Sequence, residues 1–295
     1  MMVSVQAFAD ASPLATAMAD LLGAPFREIA EHVFPDGETL PTALAQTGET
    51  VVLVCSLDHP NRRLIPLLLA ADALRRQGAA RLVLVAPYLC YMRQDKVFSP
   101  GQPLSRDVVG SLLGHAFDRV VTVDAHLHRT RRLADVFGGV AADDLSAAAP
   151  LADALAPLSI DLVIGPDVES RPWALRISEQ MGAELIVMHK DRTGDRTVRL
   201  SAPDLDRVAG RRVALVDDIC ASGATLIQAT EMLKTAGAAS VALGVTHALF
   251  DDDVMTALTK AGAAPILSTD SVRHPTNKAS LARLLADALQ QELTP

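Results

Sequence analysis

The fold is decided by the stretch Val213-Ala214-Leu215-Val216-Asp217-Asp218-Ile219-Cys220-Ala221-Ser222-Gly223-Ala224-Thr225. An apolar run ends in two adjacent carboxylates, a loop of small residues follows, and then a helical pattern begins. This order predicts a strand, a tight loop and a helix N-terminus. The backbone N–H groups of such a loop, together with the helix dipole, form a phosphate site. The paired acids could hold sugar hydroxyls or a metal-bound sugar, so the stretch favours a phosphorylated sugar as ligand.

Similar alternations of apolar strands and helical patterns extend along the rest of the chain. Continuous apolar strands between helices indicate parallel sheets that are covered on both faces. We therefore predict an α/β fold. The predicted strands span residues 51–55, 81–87, 119–124, 161–166, 184–190, 211–219, 240–247 and 265–269, and the predicted helices span residues 13–22, 62–77, 105–115, 170–181, 225–236, 254–261 and 279–292.

A faint internal repeat indicates two similar domains. Residues 73–83 resemble residues 232–242, and each segment reads as a helix that ends at a glycine and leads into a strand. The alanine- and aspartate-rich stretch at 141–156 is the best place for a boundary, so we predict an N-terminal domain over residues 1–146 and a C-terminal domain over residues 147–295. Ligands of open parallel sheets bind at the carboxyl ends of the strands, and the motifs below follow predicted strands.

Composition argues against several classes of function. A net charge of −8 disfavours a nucleic-acid groove, because such grooves are basic, and an aromatic content of 3% disfavours base-stacking platforms. No apolar run reaches membrane-spanning length, and we expect no signal peptide. The cysteines Cys55, Cys90 and Cys220 are odd in number and lack metal-ligand spacing, which favours buried thiols in a reducing compartment. We therefore expect a cytoplasmic protein that binds neither nucleic acid nor membrane.

Charged residues follow three further predicted strands. Arg93 and Lys96 come after the strand at 81–87, where two cations either clamp polyphosphate oxygens or belong to a solvated loop. His126 follows the next strand and can ligate a metal or bind a phosphate. Asp167 follows the strand after that. Because Mg²⁺ takes one or two protein ligands plus substrate phosphates, it would suit Asp167 and His126 together.

Two loops complete the set of candidates. Residues 190–196 are charged and contain a glycine, and they form either an ordinary surface loop or a lid that delivers cations when a nucleotide binds. Residues 34–38, Phe-Pro-Asp-Gly-Glu, read as a β-turn that follows an aromatic residue. Each of these patterns is weak by itself, and the information lies in their order along the chain.

In this order, from about Phe34 to the final helix, the motifs resemble those of the ribose-phosphate pyrophosphokinases, the phosphoribosyl diphosphate (PRPP) synthetases. The motif Arg93-Gln94-Asp95, which is followed by Lys96 and lies downstream of Pro87-Tyr88, is quite specific to that family. The acidic pair Asp217-Asp218 with its loop is less specific, since type I phosphoribosyltransferases share it. Residues 97–105 look more like the archaeal-type members than the phosphate-activated bacterial type.

The resemblance implies a reaction, a fold and a set of site residues. It implies transfer of the diphosphoryl group of ATP to O1 of ribose 5-phosphate, giving PRPP and AMP, by two tandem type I phosphoribosyltransferase-like domains with Mg²⁺ as cofactor. It also implies a homodimer or higher homo-oligomer, in which the 34–38 turn reaches the adenine site of a neighbouring subunit. By position, the residues implied are Phe34, Asp36, Glu38, Arg93, Gln94, Asp95, Lys96 and His126 for ATP, His126 and Asp167 for the metal, Asp217, Asp218, Ala221, Ser222, Gly223, Ala224 and Thr225 for ribose 5-phosphate, and Lys190 and Arg192 for catalysis.

Three departures from the family pattern bear on the sugar site. The family usually has aspartate or serine in place of Ala221, glycine in place of Ala224, and a small or glycine-rich pair in place of Glu169-Ser170. Alanine at a positive φ loses roughly 1–2 kcal/mol, so we expect Ala224 to change or strain the loop and to weaken the sugar site. Two alternatives stay open: a catalytically weak homologue that acts as a regulatory subunit, and a phosphoribosyltransferase that consumes PRPP. The second would need only one domain and would leave the motif at 93–96 idle.

Overall fold

Two six-stranded sheets organise the chain. The computed structural model describes residues 2–127, 130, 132–192, 198–201 and 204–293, with only the backbone of residues 190–192 and 198–201. The first compact unit comprises Met1–Leu145 together with Leu281–Pro295, and the second comprises Ser146–Ser280. Within the described part of the chain, no helix is both long enough and apolar enough to cross a membrane.

The first unit is built on a parallel sheet in the order β2-β1-β5-β6-β7-β8, with β3 and β4 forming a separate antiparallel hairpin. Its central strands β5, β6 and β7 are apolar along most of their length and are buried almost throughout, as strands covered on both faces must be. The elements are β1 (Val3–Ala7), α1 (Ser12–Leu22), β2 (Phe26–Glu28), β3 (Ala30–Val33), β4 (Thr39–Thr42), β5 (Thr50–Val54), α2 (Pro60–Arg76), β6 (Arg81–Ala86), α3 (Ser105–Ala116), β7 (Arg119–Val123) and β8 (Ala141–Leu145).

The second unit repeats this topology. Its parallel sheet has the order β10-β9-β13-β14-β15-β16, and an antiparallel hairpin of β11 and β12 stands apart from it. The elements are α4 (Ala148–Leu155), β9 (Leu162–Gly165), α5 (Arg171–Met181), β10 (Glu184–Val187), β11 (His189–Arg192), β12 (Val198–Ser201), β13 (Arg212–Cys220), α6 (Ala224–Thr235), β14 (Ser240–Ala248), α7 (Asp252–Ala261), β15 (Ala263–Thr269) and β16 (Asn277–Ala279).

The predicted α/β fold with two parallel sheets is confirmed. The faint repeat of the sequence also has a structural counterpart, because β6 and β14 each occupy the fourth place of their sheet and each follows a helix that ends just before it. The strand that corresponds to β13 in the first unit is β5, which reads Thr-Val-Val-Leu-Val and carries no acidic pair. Of these two corresponding strands, only β13 in the second unit therefore carries an acidic pair.

The end of the chain returns to the first unit. Helix α8 (Ala282–Ala288) packs against α1, and Leu285 within it and Leu289 immediately after it are fully buried. The sequence assigns this segment to the second domain, whereas the structure divides the chain after Leu145 and again before Leu281. The difference has a physical cause, because the apolar face of α8 packs against α1, which lies about 270 positions earlier in the sequence. A local sequence pattern does not reveal a contact between segments that far apart.

Three local details differ from the sequence analysis. The stretch at 141–156, predicted to hold a boundary, does contain the division after Leu145, but it also contains β8 and α4, which the sequence does not predict because short polar strands and alanine-rich helices lack a strong periodic signal. The predicted helix at 279–292 begins later, after the short strand β16. The predicted strand at 184–190 breaks at Met188 into β10 and β11.

Candidate functional site

The acidic pair lies near the end of β13 in the second unit. Asp218 is buried and Asp217 is half-buried. The Asp218 N–H donates to Asp217 Oδ1 at 3.0 Å, and the Ile219 N–H donates to Asp218 Oδ1 at 2.8 Å. One oxygen of each carboxylate is thus oriented by the backbone of the next residue.

Negative charge is concentrated around this strand end. Burial raises the pKa of Asp217 well above its usual range, and the carboxylates of Asp218 and Asp167 raise it further. Asp167 follows β9, which is the parallel neighbour of β13. Among the described residues, no group of three or more His, Cys, Asp and Glu side chains could hold a metal by itself. A hard cation that takes its remaining ligands from substrate oxygens, as Mg²⁺ does, fits this arrangement.

The loop after β13 carries the features of a phosphate site. Gly223 has φ +69° and lies immediately before the first residue of the twelve-residue helix α6, while Ser222 is exposed beside it. A Cβ atom at Gly223 would lie 2.5 Å from Val254 Cγ1, so this position needs glycine for its space as well as for its φ. Exposed backbone N–H groups at such a helix start attract anions.

The expectation that the backbone is strained at Ala224 is wrong. Ala224 is the first residue of α6 and has helical backbone, and it is absent from the non-glycine residues with positive φ that the described chain contains. The left-handed position falls one residue earlier, where this chain does have glycine. Ala221 and Thr225 flank the turn, the first exposed and the second half-buried.

Asp167 is held in a tight turn with Ser170, which the sequence singled out only as a departure from the family pattern. The Ser170 N–H donates to Asp167 Oδ1 at 3.0 Å, and the Ser170 hydroxyl donates to the Asp167 carbonyl oxygen at 2.6 Å. The Asp167 N–H in turn donates to Ser170 Oγ at 3.3 Å. Ser170 is buried, while Glu169 between them is exposed.

In the first unit, His126 lies just beyond the carboxyl end of β7 and is half-buried. The turn before it is shaped by Asp124, a buried residue with φ +41°, whose N–H donates to the Leu145 carbonyl at 2.8 Å. The Ala125 N–H donates to Asp144 Oδ1 at 2.8 Å. His126 thus belongs to the first unit and Asp167 to the second.

The tetrapeptide at 93–96 forms part of the loop that follows β6. Arg93, Gln94 and Lys96 are exposed, and Asp95 is half-buried. Lys96 Nζ lies 4.9 Å from the centroid of the Phe98 ring, and the Gln94 N–H donates to the Tyr91 carbonyl at 3.0 Å. Two cations are therefore exposed to solvent near the carboxyl end of a central strand, where an anionic ligand can reach them.

The segment at 34–38 is the tip of the β3–β4 hairpin. The Phe34 N–H donates to the Glu38 carbonyl at 2.8 Å, and Asp36 Oδ1 accepts from the Glu38 N–H at 3.1 Å. The Phe34 ring is partly exposed and lies edge-on to His32, with ring centroids 4.5 Å apart. Asp36 and Glu38 also line a groove of about 890 Å³ between the hairpin and α2.

The candidate cations at 190 and 192 lie on β11. Lys190 pairs with Leu200 and Arg192 pairs with Val198 across the β11–β12 hairpin. The side chains of both candidates, and residues 193–196 of the predicted loop, lie outside the described residues.

Sequence reasoning missed a buried polar cluster at the carboxyl ends of β14 and β15. His247 Nδ1 lies 2.8 Å from Ser271 Oγ, which donates to the Thr246 carbonyl at 2.9 Å. Thr269 Oγ1 donates to the same carbonyl at 2.6 Å. The continuous apolar character of β14 hid these groups, and only their contacts identify them.

Two family models match the chain. The N-terminal domain of ribose phosphate pyrophosphokinase matches residues 3–116, and the phosphoribosyl transferase domain matches residues 144–257.

Individual proteins match over nearly the whole length. A ribose-phosphate pyrophosphokinase of Methanopyrus kandleri is 34% identical over 290 residues, which is 97% of this chain and 98% of the relative. One of Pyrococcus furiosus is 31% identical, over 88% of this chain and 91% of the relative. The crystal structure of phosphoribosylpyrophosphate synthetase from Mycobacterium smegmatis superposes with a TM-score of 0.82 at 25% identity, over 99% of both chains.

Proposed function

This chain belongs to the ribose-phosphate pyrophosphokinase family, and from that premise we propose that it transfers the diphosphoryl group of ATP to O1 of ribose 5-phosphate, which yields PRPP and AMP. One observation carries the proposal, namely the match over 97% of this chain and 98% of a relative of that name. A phosphoribosyltransferase that consumes PRPP would need only the second unit.

Ribose 5-phosphate binds the second unit in this proposal. The exposed start of α6 offers backbone N–H groups and the positive end of a helix dipole to the 5-phosphate. The acidic pair on β13 accepts hydrogen bonds from the ribose hydroxyls, because carboxylates are strong acceptors for neutral donors. The residues assigned to this ligand are Asp217, Asp218, Ala221, Ser222, Gly223, Ala224 and Thr225.

ATP binds the first unit. The exposed cations Arg93 and Lys96 face solvent, as groups that contact a triphosphate must. Gln94, Asp95 and His126 complete the set that we assign to this chain's own nucleotide.

Mg²⁺ is the cofactor that this site suits. Asp167 and His126 are the side chains assigned to it, and the charge that raises the pKa of Asp217 is of the kind that a divalent cation compensates. When bound, Mg²⁺ neutralises phosphate charge and orients the diphosphate.

The chemistry is a substitution at the β-phosphorus. A bond forms between O1 of the sugar and the β-phosphorus while the O1 hydroxyl loses its proton to solvent. The bond from that phosphorus to the oxygen shared with the α-phosphate breaks, and AMP leaves with that oxygen. The task of the protein in such a transfer is alignment and charge neutralisation. Lys190, Arg192 and Arg93 neutralise the charge that develops on the leaving AMP phosphate.

The active species is a homodimer or a larger homo-oligomer. Val33 and Leu40 on the β3–β4 hairpin and Ile65 and Leu69 on α2 are large apolar side chains that are exposed in the single chain. These two elements line one groove, and contiguous exposed apolar surface is typical of protein interfaces. In this proposal a second copy covers these side chains, and Phe34, Asp36 and Glu38 contact the adenine bound by that copy, as the family resemblance implies.

The compartment is the cytoplasm. Cys55, Cys90 and Cys220 are all buried free thiols, and burial raises the pKa of Cys90 and Cys220 to about 12. Such thiols are unreactive and are typical of proteins in a reducing compartment.

One assay tests the reaction. The protein is incubated with ATP, Mg²⁺ and ribose 5-phosphate, and AMP and PRPP are quantified. We expect equal amounts of both products, and no product without the metal or the sugar phosphate. Formation of ADP, or AMP release without the sugar, contradicts the proposal. If no product forms, but addition of the chain alters the rate of an active synthetase, the regulatory-subunit alternative is favoured.

A further inference from the structure

We propose that Ser170 is a positioning residue that holds Asp167 in the orientation needed to bind the metal and its substrate. The inference rests on the proposed function, which assigns Asp167 to Mg²⁺. It adds a residue that does not itself contact the metal or the substrate.

Ser170 makes three hydrogen bonds to the backbone and side chain of Asp167. Its N–H binds Oδ1 of the carboxylate at 3.0 Å, which fixes the rotation of that group. Its hydroxyl donates to the Asp167 carbonyl at 2.6 Å and accepts from the Asp167 N–H at 3.3 Å. The N–H and the carbonyl group of Asp167 are therefore both hydrogen-bonded to the Ser170 hydroxyl.

The Ser170 hydroxyl hydrogen-bonds Asp167 in the loop before helix α5 and does not cap that helix. Ser170 is the N-cap residue of α5, where a serine side chain usually accepts from an N–H of the first helical turn. Here it makes no such capping bond. A buried hydroxyl that bonds Asp167 and makes no capping bond to the helix acts on the position of Asp167.

The last residue of β9 leaves room for this arrangement. A Cβ atom at Gly165 would lie 2.5 Å from Ser170 Oγ. A methyl group at Gly165 would therefore displace the Ser170 hydroxyl, which is the atom nearest to it. The hydrogen bonds between Ser170 and Asp167 can therefore be disturbed in two independent ways, by a substitution at Ser170 or by one at Gly165.

Helix α5 also supplies a matched control. Ser178 is 3% exposed and Ser170 is 1% exposed, and the Ser178 hydroxyl donates to the Leu175 carbonyl at 2.8 Å. Ser178→Ala removes the same atom from a similarly buried backbone hydrogen bond in the same helix. It leaves Asp167 unchanged.

The experiment measures binding of Mn²⁺ to the full chain in the presence of ribose 5-phosphate and without ATP, by the electron paramagnetic resonance signal of free Mn²⁺. Removing a residue that orients a metal ligand typically costs 10–100-fold in metal affinity. We therefore expect Ser170→Ala and Gly165→Ala each to weaken Mn²⁺ binding roughly tenfold, and Ser178→Ala to change it less than twofold. Urea unfolding of each variant verifies that it is folded.

A double-mutant cycle separates positioning from general destabilisation. Asp167→Asn keeps an oxygen that can accept from the Ser170 N–H but removes the charge. If Ser170 acts through Asp167, adding Ser170→Ala to Asp167→Asn changes Mn²⁺ affinity little further. Full additivity, or an equal loss in Ser178→Ala, overturns the inference.

The same data distinguish failure of the inference from failure of the proposed function. Wild-type affinity in Asp167→Asn means that the assignment of Asp167 to the metal is wrong. Weak binding in Asp167→Asn together with wild-type binding in both Ser170→Ala and Gly165→Ala overturns the positioning role alone.

Discussion

Glu292 ties the end of the chain to the first unit, and replacing it with alanine should destabilise that unit strongly. Glu292 Oε2 accepts from Arg81 Nε at 2.6 Å, and Oε1 accepts from Arg119 Nη1 at 2.9 Å. The Glu292 side chain is 6% exposed and the Arg119 side chain 4%. Glu292→Ala would therefore leave a buried guanidinium with one carboxylate fewer.

The magnitude follows from what remains after the substitution. Breaking a buried ion pair by removing one partner costs about 3–5 kcal/mol. Asp143 still accepts from Arg119 Nε at 2.8 Å, and the Arg81 side chain, at 35% exposure, can turn to water. We therefore expect a loss near the lower limit, about 3 kcal/mol.

The assay is urea unfolding of the full chain, followed by circular dichroism, beside a matched control. Asp72→Ala removes one carboxylate from the Arg76–Asp72 pair, whose side chains are 77% and 57% exposed. Exposed helix pairs of this spacing contribute about 0.3–0.5 kcal/mol. We expect a large shift of the unfolding midpoint for Glu292→Ala and almost none for Asp72→Ala. Equal effects of the two variants would refute the reasoning.

The effect of Glu292 also depends on pH. Burial by itself would raise the pKa of Glu292, but hydrogen bonds from Arg81 and Arg119 outweigh it and lower the pKa below the usual value. The folded state thus binds this proton more weakly than the unfolded state, so the stabilisation is complete above the unfolded pKa and is lost as the pH falls through the folded one. The difference in stability between wild type and Glu292→Ala should shrink below about pH 4.5, near the usual carboxyl pKa. A difference that stays constant down to pH 3 would contradict the assigned charge.

Three further results are expected. Gly223→Ala should raise the KM for ribose 5-phosphate roughly tenfold, because alanine in a positive-φ conformation costs roughly 1–2 kcal/mol of conformational free energy, whereas Ala224→Gly should not lower this KM. Both values are measured by steady-state kinetics with saturating ATP. A lower KM in Ala224→Gly would show that the loop is strained. Asp217→Asn should raise the urea midpoint of the ligand-free protein at neutral pH, because burial and two nearby carboxylates raise the pKa of Asp217 and make its ionised form unfavourable in the folded state. The same variant should abolish binding of ribose 5-phosphate in calorimetry. An unchanged or lower urea midpoint would contradict the first expectation. Lys190→Ala should lower kcat by orders of magnitude with little change in KM. Mixing the Lys190→Ala protein with the Phe34→Ala protein should restore part of the activity if each active site uses two chains. No recovery, with subunit exchange verified, would place the adenine site within one chain.

The sequence by itself determined the class of fold and predicted the residues that we propose as ligand-binding. Apolar runs such as those of β6 and β13 are local patterns, and a strand covered on both faces has to be apolar on both faces wherever it occurs. The groups that follow such strands must lie at the carboxyl edge of the sheet to which the strand belongs, so Asp167 follows β9 at that edge of the second sheet and His126 follows β7 at that edge of the first. The order of these motifs therefore predicted the family before any contact was known.

Tertiary structure alone decided how those groups are held. The left-handed residue of the loop after β13 is Gly223 and not its neighbour Ala224, and Val254 from α7 leaves no room for a side chain at that position. Ser170 bonds Asp167 and fits against Gly165, although its sequence position marks it only as a helix start.

The return of the chain end to the first unit depends on the same kind of contact. Glu292 meets Arg81 and Arg119 across 211 and 173 positions of sequence, respectively. Periodicity and spacing describe residues that are close along the chain, whereas burial, close packing and ion pairing depend on residues that only folding brings together.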